Sequence, residues 1–584
     1  MKWKGLEPRL LFTAIFFTVV MMGLGARLAF LHLWPHAHEI KVVEDSRDYE
    51  RVIPCQRGRI YDCHEGETLL ALDMMRKDVC VDPRVVVRSN AVEQVAMAVS
   101  ESIALPMEDI RRRLTQAGRK YVRLARFIDV APAEQLKKMK LPGFFFPDSP
   151  CRTYPNGAVG AHVLGFVNYE RVGVAGVEML LEKHLQGTNG MLESQKNGLQ
   201  EEMFTRRGQY VSPVNGCDVS LTLDLPLQYI VEKALDEAME TSHAQGAWVI
   251  IQRVRTGEIL AMAARPGFDP NLFQKASPEE RLNRSIGVVY EPGSTFKAVA
   301  VSAALNEGTV TENTVFDCEN GHWLYCKHIL RDFHPYGNLT VADGIKKSSN
   351  ILTAKVAIQL GPALFDKYMR AYGVGEKTGF DLPGEEKGLL MPLSQWSGIS
   401  IARMPIGQGV AVTALQLLNI YSTIANGGVR MKPFVVKKVR HPDGRILLDR
   451  RPQEVARPIT PETAAVMRRL LIRVTEDGGT ARRARVAGYE VAGKTGTAQK
   501  PAPGGYSSTD YMATFVGFLP ARTPEIAMVV TLDNPQPYHQ GGVVAAPVFA
   551  KIAEQAMRYL AIPPEGNTPT SFELENDTVL PLED

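Results

Sequence analysis

The chain has 584 residues, of which 45% are hydrophobic and 22% are charged, and 67 Lys+Arg against 64 Asp+Glu leave a formal net charge of +3. This length exceeds what one ordinary hydrophobic core supports, so we expect two or more folded domains. The near balance of charge argues against a nucleic-acid partner held by a basic face.

An apolar segment lies close to the N-terminus. Residues 10–26 contain no charged side chain, and the apolar character resumes after Arg27, which makes the segment long enough to span a bilayer. Three basic residues precede it, so the positive-inside rule predicts a cytoplasmic tail at residues 1–9. Small residues near the end of the segment leave a cleaved signal peptide as the alternative. The apolar continuation favours an uncleaved single-pass anchor over residues 10–34, with the rest of the chain outside the cytoplasm.

The cysteines are scattered along the chain and do not form a dense framework. The seven are Cys55, Cys63, Cys80, Cys151, Cys217, Cys318 and Cys326. An exported location permits disulfides, and Cys318 and Cys326 flank a short loop across which they could pair. The histidines of the same loop match no standard zinc spacing, so a disulfide or free thiols are favoured over a metal there.

Residues 35–215 are predicted to form an N-terminal module of mixed α/β type. Gly58 and Gly66 around a short β-type run predict a hairpin, interpreted as scaffold with an Arg–Asp pair inside the stretch Arg57–Asp62. His162 is interpreted as a structural histidine. Helical patterns separated by polar links follow the hairpin: Ala91–Ile103, Met107–Ala117 and Ala131–Met139.

Residues 216–562 follow a more regular pattern. Strand-like runs occur early and late, with mostly helical segments between them, which predicts an antiparallel sheet closed by distant parts of the chain. The runs are 247–251, 258–264, 489–493, 513–519 and 526–532, and a terminal helix is predicted at 546–560. Residues 563–584 are rich in Pro, Glu and Thr, so we expect a disordered tail.

The stretch Tyr290–Lys297 reads Tyr-Glu-Pro-Gly-Ser-Thr-Phe-Lys, and its Pro-Gly break predicts the start of a helix. Positions three apart share one face of a helix, so Ser294 and Lys297 are expected within reach of each other. A serine hydroxyl needs a base to become a nucleophile, and a lysine kept unprotonated by burial or by another cation can be that base.

Two later motifs indicate that Ser294 and Lys297 are catalytic residues. Ser348-Ser-Asn350 lies on a probable helix, and Lys494-Thr-Gly-Thr497 closes a probable strand that can border the Ser294 helix. Ser-x-x-Lys, Ser-x-Asn and Lys-Thr-Gly in this order are the signature of penicillin-recognising serine acyltransferases.

On these motifs, together with Arg57-Gly-x-Ile-x-Asp62 and Arg152-x-Tyr-Pro155, the chain resembles a class B, monofunctional penicillin-binding protein, a peptidoglycan D,D-transpeptidase. The resemblance implies an α+β fold, in which a penicillin-binding/serine β-lactamase-like transpeptidase domain (an antiparallel sheet flanked by helices) stands on an elongated mixed α/β pedestal. Asn350 resembles the division (septal) type, since elongation-type relatives commonly have Asp there. Cys63-His64-Glu65 departs from the family pattern of Arg-Asn, which affects the pedestal rather than catalysis.

The resemblance also implies a role for each motif residue. Ser294 attacks the penultimate D-Ala carbonyl of a stem peptide, expels the terminal D-Ala and holds an acyl-enzyme that the amine of a neighbouring stem resolves. Lys297 is the general base, and Ser348 relays the proton, with Asn350 and Lys494 fixing the network. Two ammonium groups in one cleft should depress at least one lysine pKa.

The Lys-Thr-Gly-Thr strand is expected to bind the substrate. The backbone N–H groups of Ser294 and Thr497 would form the oxyanion hole, and the hydroxyls of Thr495 and Thr497 would bind the substrate carboxylate, with Gly496 between them. A β-lactam would imitate the D-Ala-D-Ala end and be trapped on Ser294.

Several alternatives stay open at this point. The acyl group could pass to water, as in a carboxypeptidase or a β-lactamase, or the enzyme could be of the elongation type. A penicillin-sensing receptor would need a signalling domain, for which residues 1–9 leave little room, and a non-catalytic scaffold of the division complex would not need the intact motifs. The resemblance implies location in the cell inner membrane with a periplasmic catalytic domain, and a membrane-embedded glycan polymerase and division-complex proteins as partners. It implies no cofactor and no metal.

Overall fold

The structure is a computed structural model that describes residues 8–33, 48–115, 118–195 and 202–565. The chain divides into two compact units, one of Met1–Cys55 with Thr188–Val214 and one of Gln56–Gly187 with Asn215–Asp584. Most of the predicted cytoplasmic tail and most of the predicted disordered tail lie outside the described residues.

The smaller unit contains the predicted anchor. It is one helix of 26 residues, Pro8–Leu33, about 39 Å long at 1.5 Å per residue, and is long and apolar enough to cross a membrane. The unit also contains a three-stranded antiparallel sheet. Its strands, in spatial order, are Asp48–Ile53, Gly190–Gln195 and Tyr210–Val211.

The larger unit is built around a five-stranded antiparallel sheet, as predicted. Its strands, in spatial order, are Ile259–Arg265, Gly246–Arg253, Ile526–Asp533, Gly505–Leu519 and Ala492–Ala502. The central strands are continuous apolar runs because both of their faces are covered by helices. Helices Leu225–Ser242 and Gly541–Tyr559 pack on one face, and helix Ala414–Ala425, buried along its whole length, packs on the other.

A second, mixed sheet joins the early residues of this unit to its later ones. Strand Ile60–Tyr61 pairs antiparallel with Leu69–Val81, which confirms the predicted hairpin, and parallel with Asp218–Leu221. The other strands of the sheet are Val122–Ile128, Phe144–Phe145, Asp148–Thr153, Val436–Arg440 and Ile446–Asp449. Helices Pro83–Arg88, Val92–Ile103, Met107–Leu114 and Val130–Lys138 pack beside it over a small apolar core, close to the helical patterns read from the sequence.

The Arg–Asp pair expected inside the first turn is not formed. Arg57 is buried and instead donates from Nε to Glu178 at 2.6 Å and from Nη2 to Glu182 at 2.7 Å, while Arg152 Nε donates to the other Glu178 oxygen at 2.7 Å. Asp62 Oδ1 accepts from the backbone N–H two residues later. The arginine therefore finds its partner far along the chain, where burial makes a charge pair necessary.

The segment between Lys297 and Lys494 is mostly helical, with small hairpins inserted. Its helices are Lys297–Asn306, Val341–Lys347, Asn350–Leu360, Pro362–Ala371, Ser400–Arg403, Ala414–Ala425 and Pro461–Ile472. Its paired strands are Val315–Asp317 with Asn338–Thr340, His322–Tyr325 with His328–Arg331, and Arg430–Met431 with Glu454–Ala456. Short helices Ala161–Leu164, Gly176–Leu180, Glu182–Leu185, Pro278–Arg281 and Arg284–Gly287 precede this segment.

Two side-chain expectations are settled by the packing. The ring of His162 is buried and hydrogen-bonds through Nε2 to the Glu280 carbonyl oxygen at 2.9 Å, so the histidine is structural, and burial lowers its pKa to about 4. Six of the cysteines are free thiols: Cys63, Cys80, Cys151, Cys217, Cys318 and Cys326. Cys318 is buried and Cys326 is exposed, so the two do not pair across their loop.

Candidate active site

The nucleophile turn has the helical start that the Pro-Gly break predicts. Gly293–Phe296 forms a single tight turn and runs directly into helix Lys297–Asn306. Gly407 packs against this turn so closely that a Cβ atom there would lie 2.2 Å from the Gly293 carbonyl oxygen. Ser294 is therefore held on a turn that a second loop supports from outside.

Ser348 does not lie on a helix, contrary to the prediction. It ends helix Val341–Lys347 in a left-handed conformation, with φ 61° and ψ 38°, and Ser349 then caps helix Asn350–Leu360 by accepting from Leu352 N at 3.1 Å. A non-glycine residue in this region is uncommon and costs about 1 kcal/mol or more. The chain reverses at Ser348, and the serine is presented to the two lysines at the junction of two helices.

Both lysines contact this serine. Lys494 Nζ donates to Ser348 Oγ at 2.8 Å, and Lys297 Nζ donates to Ser348 Oγ at 3.1 Å and to the Ser348 carbonyl oxygen. Both lysine residues are fully buried, at 0% exposure. The three motifs, which are up to 200 residues apart in sequence, therefore meet at one hydroxyl group.

Burial controls the charge of this pair. Removal from water lowers the pKa of Lys297 to about 7, partly opposed by the nearby carboxylate of Asp332. Burial likewise lowers the pKa of Lys494 well below its usual range, and the neighbouring Lys297 adds to this. The expected depression is present, but desolvation rather than crowding of two cations is its main cause.

The Lys-Thr-Gly-Thr segment lies on the edge strand Ala492–Ala502 beside the nucleophile turn. The sequence predicted that Lys494-Thr-Gly-Thr497 closes a strand, but Lys494 is the third residue of this strand, which continues to Ala502. At Gly496 a Cβ atom would lie 2.9 Å from the Pro292 carbonyl oxygen, so the glycine permits the strand to approach the turn. The strand is thereby brought against the residues that precede Ser294.

The two threonines of this strand have defined partners. The Thr495 and Thr480 hydroxyls are 2.9 Å apart, and Thr497 Oγ1 accepts from Gly541 N at 3.0 Å. Thr480 belongs to none of the motifs, so it was not identified from the sequence. Because these contacts fix the position of each hydroxyl group, both threonines present oriented polar groups to the cavity in front of them.

Asn350 and Asp332 form a separate small network. Asn350 Nδ2 donates to the Arg331 carbonyl oxygen at 2.8 Å rather than to either lysine, while Asp332 accepts from Ser349 Oγ at 2.7 Å and from Ile351 N at 3.1 Å. Asp332 was not identified from the sequence. It lies after a short hairpin strand, and only the tertiary fold carries it to the start of the helix behind Ser348.

A cavity of about 820 Å³ opens in front of these groups. Its lining includes Ser294, Ser348, Asn350, Thr495, Thr497, Arg482 and Arg483. The side chain of Ser294 is half-buried, and within the described part of the chain its hydroxyl has no hydrogen-bond partner. The cavity therefore offers an unengaged serine, hydroxyl donors and two arginines to a ligand that carries a carboxylate.

Ser294 on a helical turn, two buried lysines of lowered pKa that donate to Ser348, and an edge strand that carries Lys-Thr-Gly together define a serine acyltransferase of the penicillin-recognising class. Comparison with protein families agrees. The family model "Penicillin binding protein transpeptidase domain" matches residues 247–554, and "Penicillin-binding Protein dimerisation domain" matches residues 52–221. The chain belongs to the penicillin-binding protein transpeptidase family, as its motifs predict.

Similar proteins extend over nearly the whole chain. The chain is 31% identical to the probable peptidoglycan D,D-transpeptidase PenA of Neisseria meningitidis, over 95% of this chain and 93% of the relative. It is 32% identical to the peptidoglycan D,D-transpeptidase FtsI of Escherichia coli, over 88% and 86%. The crystal structure of penicillin-binding protein 3 from Mycobacterium tuberculosis with aztreonam superposes with a TM-score of 0.69 at 29% identity, covering 89% of this chain and 99% of that one. The predicted fold class and enzyme class are thereby confirmed.

Proposed function

We propose that the chain is a membrane-anchored peptidoglycan D,D-transpeptidase that cross-links stem peptides through an acyl-enzyme on Ser294. The roles of the residues are assigned mainly from two hydrogen bonds to the Ser348 hydroxyl, one from Lys494 at 2.8 Å and one from Lys297 at 3.1 Å. Similar proteins named peptidoglycan D,D-transpeptidases support the substrate class.

Lys297 is the base that activates Ser294. A neutral amine has two N–H donors and one lone pair, and Lys297 directs its donors to the carbonyl oxygen and the hydroxyl of Ser348. Its lone pair is then left for the hydroxyl of Ser294, one helical turn away. With a pKa of about 7, a large share of Lys297 is neutral at physiological pH.

Ser348 returns the proton to the leaving group. Ser294 Oγ bonds to the carbonyl carbon, and the bond from that carbon to the terminal D-Ala nitrogen breaks. The nitrogen takes the Ser348 proton, and Ser348 regains one from Lys297, so protons balance over the acylation step. Because both lysines donate to Ser348 Oγ, the O–H of Ser348 is free to point at the leaving nitrogen. Lys494 holds this geometry, and Asn350 acts at the rim of the cavity.

The strand residues bind and polarise the substrate. The N–H groups of Ser294 and Thr497 stabilise the oxyanion, and the hydroxyls of Thr495 and Thr497 receive the substrate carboxylate, with Gly496 allowing the close approach. Thr480 fixes the Thr495 hydroxyl at 2.9 Å. A β-lactam carboxylate would occupy the same place.

The location and the partners are also part of the proposal. In this proposal helix Pro8–Leu33 anchors the chain in the inner membrane and the catalytic part lies on the periplasmic side, which the basic residues before the helix support. We assign the enzyme to septal wall synthesis, because Asn350 has the division-type identity. A membrane-embedded glycan polymerase and division-complex proteins are its expected partners.

The first experiment tests the acyl-serine. Full-length protein in detergent is incubated with a fluorescent penicillin and run on a denaturing gel, beside Ser294→Ala and a matched exposed serine, Ser508→Ala. Covalent label is expected in the wild type and in Ser508→Ala and absent in Ser294→Ala. No label on folded wild-type protein would contradict the mechanism and favour a scaffold role.

The second experiment identifies the acceptor. A donor stem peptide ending in D-Ala-D-Ala is incubated with an acceptor stem that carries a free amine, and the products are separated by mass spectrometry. A cross-linked dimer is expected. If only the hydrolysed stem forms, the acyl group passes to water and the chain is a carboxypeptidase of the same fold.

A further inference from the structure

The turn Asp62-Cys63-His64, whose residues do not line the cavity at Ser294, brings three metal-binding side chains together. One ligand atom from each residue lies within 4.8 Å of the others. The turn is fixed by its backbone, since Cys63 N donates to the Leu223 carbonyl oxygen at 2.9 Å and His64 N to Asp62 Oδ1 at 2.9 Å. It is therefore a preformed cluster with one sulfur, one imidazole and one carboxylate.

A second carboxylate completes the set. Asp224 caps helix Leu225–Ser242 by accepting from Leu227 N through Oδ1 at 3.1 Å, which fixes its orientation. Its other oxygen, Oδ2, lies 3.6 Å from Cys63 Sγ and 3.6 Å from His64 Nε2. Bond lengths of about 2.3 Å to sulfur and about 2.0 Å to nitrogen or oxygen place two ligands of a tetrahedral zinc ion about 3.3 to 3.5 Å apart. The two measured distances are close to this edge length.

The Asp62 carboxylate supplies an independent sign of a missing ligand. Asp62 is fully buried at 0% exposure, and its Oδ2 is without a hydrogen-bond partner among the described residues. A buried carboxylate oxygen that has no donor is costly, and most such atoms are paired in folded proteins. A bound cation at this cluster would satisfy it.

We propose that Cys63 Sγ, His64 Nε2 and the carboxylates of Asp62 and Asp224 bind one zinc ion. Thiolate, imidazole and carboxylate are ligands that Zn²⁺ accepts in four-coordinate sites, and the thiol proton is released to solvent on binding. The ion enters past His64, whose side chain is 45% exposed. This site goes beyond the transpeptidase function and does not depend on it.

The ion would act as a structural staple. Tyr559, at the end of helix Gly541–Tyr559, donates from its hydroxyl to Asp224 Oδ2 at 3.2 Å, so it becomes an outer partner of that ligand. Its 3.2 Å contact with His64 Nε2 would give way to the bond from Nε2 to zinc. Zinc would thereby tie the first turn of the larger unit to the start of helix Leu225–Ser242 and to the end of helix Gly541–Tyr559.

The test uses full-length, tag-free protein in detergent, stripped with EDTA and dialysed. Co²⁺ is titrated first, because a tetrahedral thiolate site gives intense visible absorption and a sulfur-to-cobalt charge-transfer band. Zn²⁺ is then added to displace it, and melting temperature is followed with and without Zn²⁺. We expect one ion per chain, bleaching of the bands by Zn²⁺ and a higher melting temperature with Zn²⁺.

Matched variants identify the ligands. Cys63→Ser should remove the charge-transfer band, and His64→Gln and Asp224→Asn should each weaken Zn²⁺ binding at least tenfold. Asparagine still caps a helix and His64 is partly exposed, so these two variants are expected to fold. Cys326→Ser, an exposed cysteine near other histidines, should change nothing. Absence of a cobalt spectrum on folded wild-type protein would overturn the proposal, as would a spectrum that survives Cys63→Ser.

Discussion

Acylation of Ser294 should become faster as the pH rises through about 7, because only the neutral form of Lys297 can accept the serine proton. With a pKa of about 7, the neutral fraction is about one in eleven at pH 6 and about ten in eleven at pH 8, so the second-order rate of acylation should rise roughly tenfold across this range. The assay is stopped-flow acylation by a fluorescent penicillin from pH 5.5 to 9, with full-length protein in detergent.

A variant of Asp332 tests the assignment of the titrating group. The Asp332 carboxylate raises the pKa of Lys297 against the effect of burial, so Asp332→Asn should move the midpoint of the rate profile to lower pH. Asparagine keeps one oxygen to accept from the N–H groups at the start of helix Asn350–Leu360. Asp317→Asn, an exposed neighbour, should leave the midpoint unchanged. A rate that is flat or falls between pH 6 and 8 in folded protein would refute Lys297 as the base.

The lowered pKa of Lys297 should also make the free energy of unfolding depend on pH. Between pH of about 7 and 10.5, the unfolded chain binds a proton on Lys297 that the folded chain does not, so the free energy of unfolding rises with pH across this window. The difference between these pKa values corresponds to roughly 5 kcal/mol, which is lost as the pH falls to about 7. Denaturant unfolding at pH 7 and pH 9, with Lys297→Met as the comparison, should show a smaller pH dependence in the variant.

Two further substitutions, Gly407→Ala and Tyr421→Phe, probe the support of the nucleophile turn, and Gly409→Ala is the control for the first. Gly407→Ala should destabilise the fold by about 1–3 kcal/mol and slow acylation, because the new methyl group would lie 2.2 Å from the Gly293 carbonyl oxygen. Gly409→Ala has a similar φ of 75° but meets nothing within 4 Å, so in chemical denaturation it should show only the smaller cost of backbone strain. Tyr421→Phe should lower stability by about 1–2 kcal/mol, since it removes the hydroxyl that donates to the Thr295 carbonyl oxygen at 2.7 Å; an unchanged denaturation midpoint would show that water replaces it.

Local sequence spacing predicted the start of the helical turn that carries Ser294, because that feature depends only on neighbouring residues. The Pro-Gly break marks where the turn Gly293–Phe296 begins, and across that turn Lys297 N donates to the Ser294 carbonyl oxygen. A hydrogen bond between the two side chains stays a prediction, because within the described residues Lys297 Nζ donates only to Ser348. The position of Ser348 was predicted less well. Its left-handed conformation depends on two helices that meet there, and the carboxylate of Asp332 that holds the second helix arrives from a hairpin with no motif of its own.

Partners far apart in sequence show the same limit. Because Arg57 lies five residues from Asp62, the sequence predicts a local ion pair between them. In the structure Arg57 instead pairs with Glu178, 121 residues away. Sequence proximity says little here, because a buried guanidinium needs several acceptors in a fixed plane and only the folded chain supplies them. The Asp62 carboxylate is therefore left without an arginine partner, and it lies in the turn that contains the proposed zinc ligands.

The cause of the lysine pKa values also belongs to the tertiary structure. From the sequence, two cations in one cleft predict mutual repulsion, but both lysines are fully buried, and desolvation is the larger effect. Within the described residues neither Lys297 nor Lys494 forms an ion pair with a carboxylate; their hydrogen bonds go to Ser348 and to backbone carbonyl oxygens. An apolar side chain would fill such positions at lower cost in stability. Stability alone does not explain two buried lysines that lack a carboxylate partner. A requirement for an unprotonated amine at the active site does explain them.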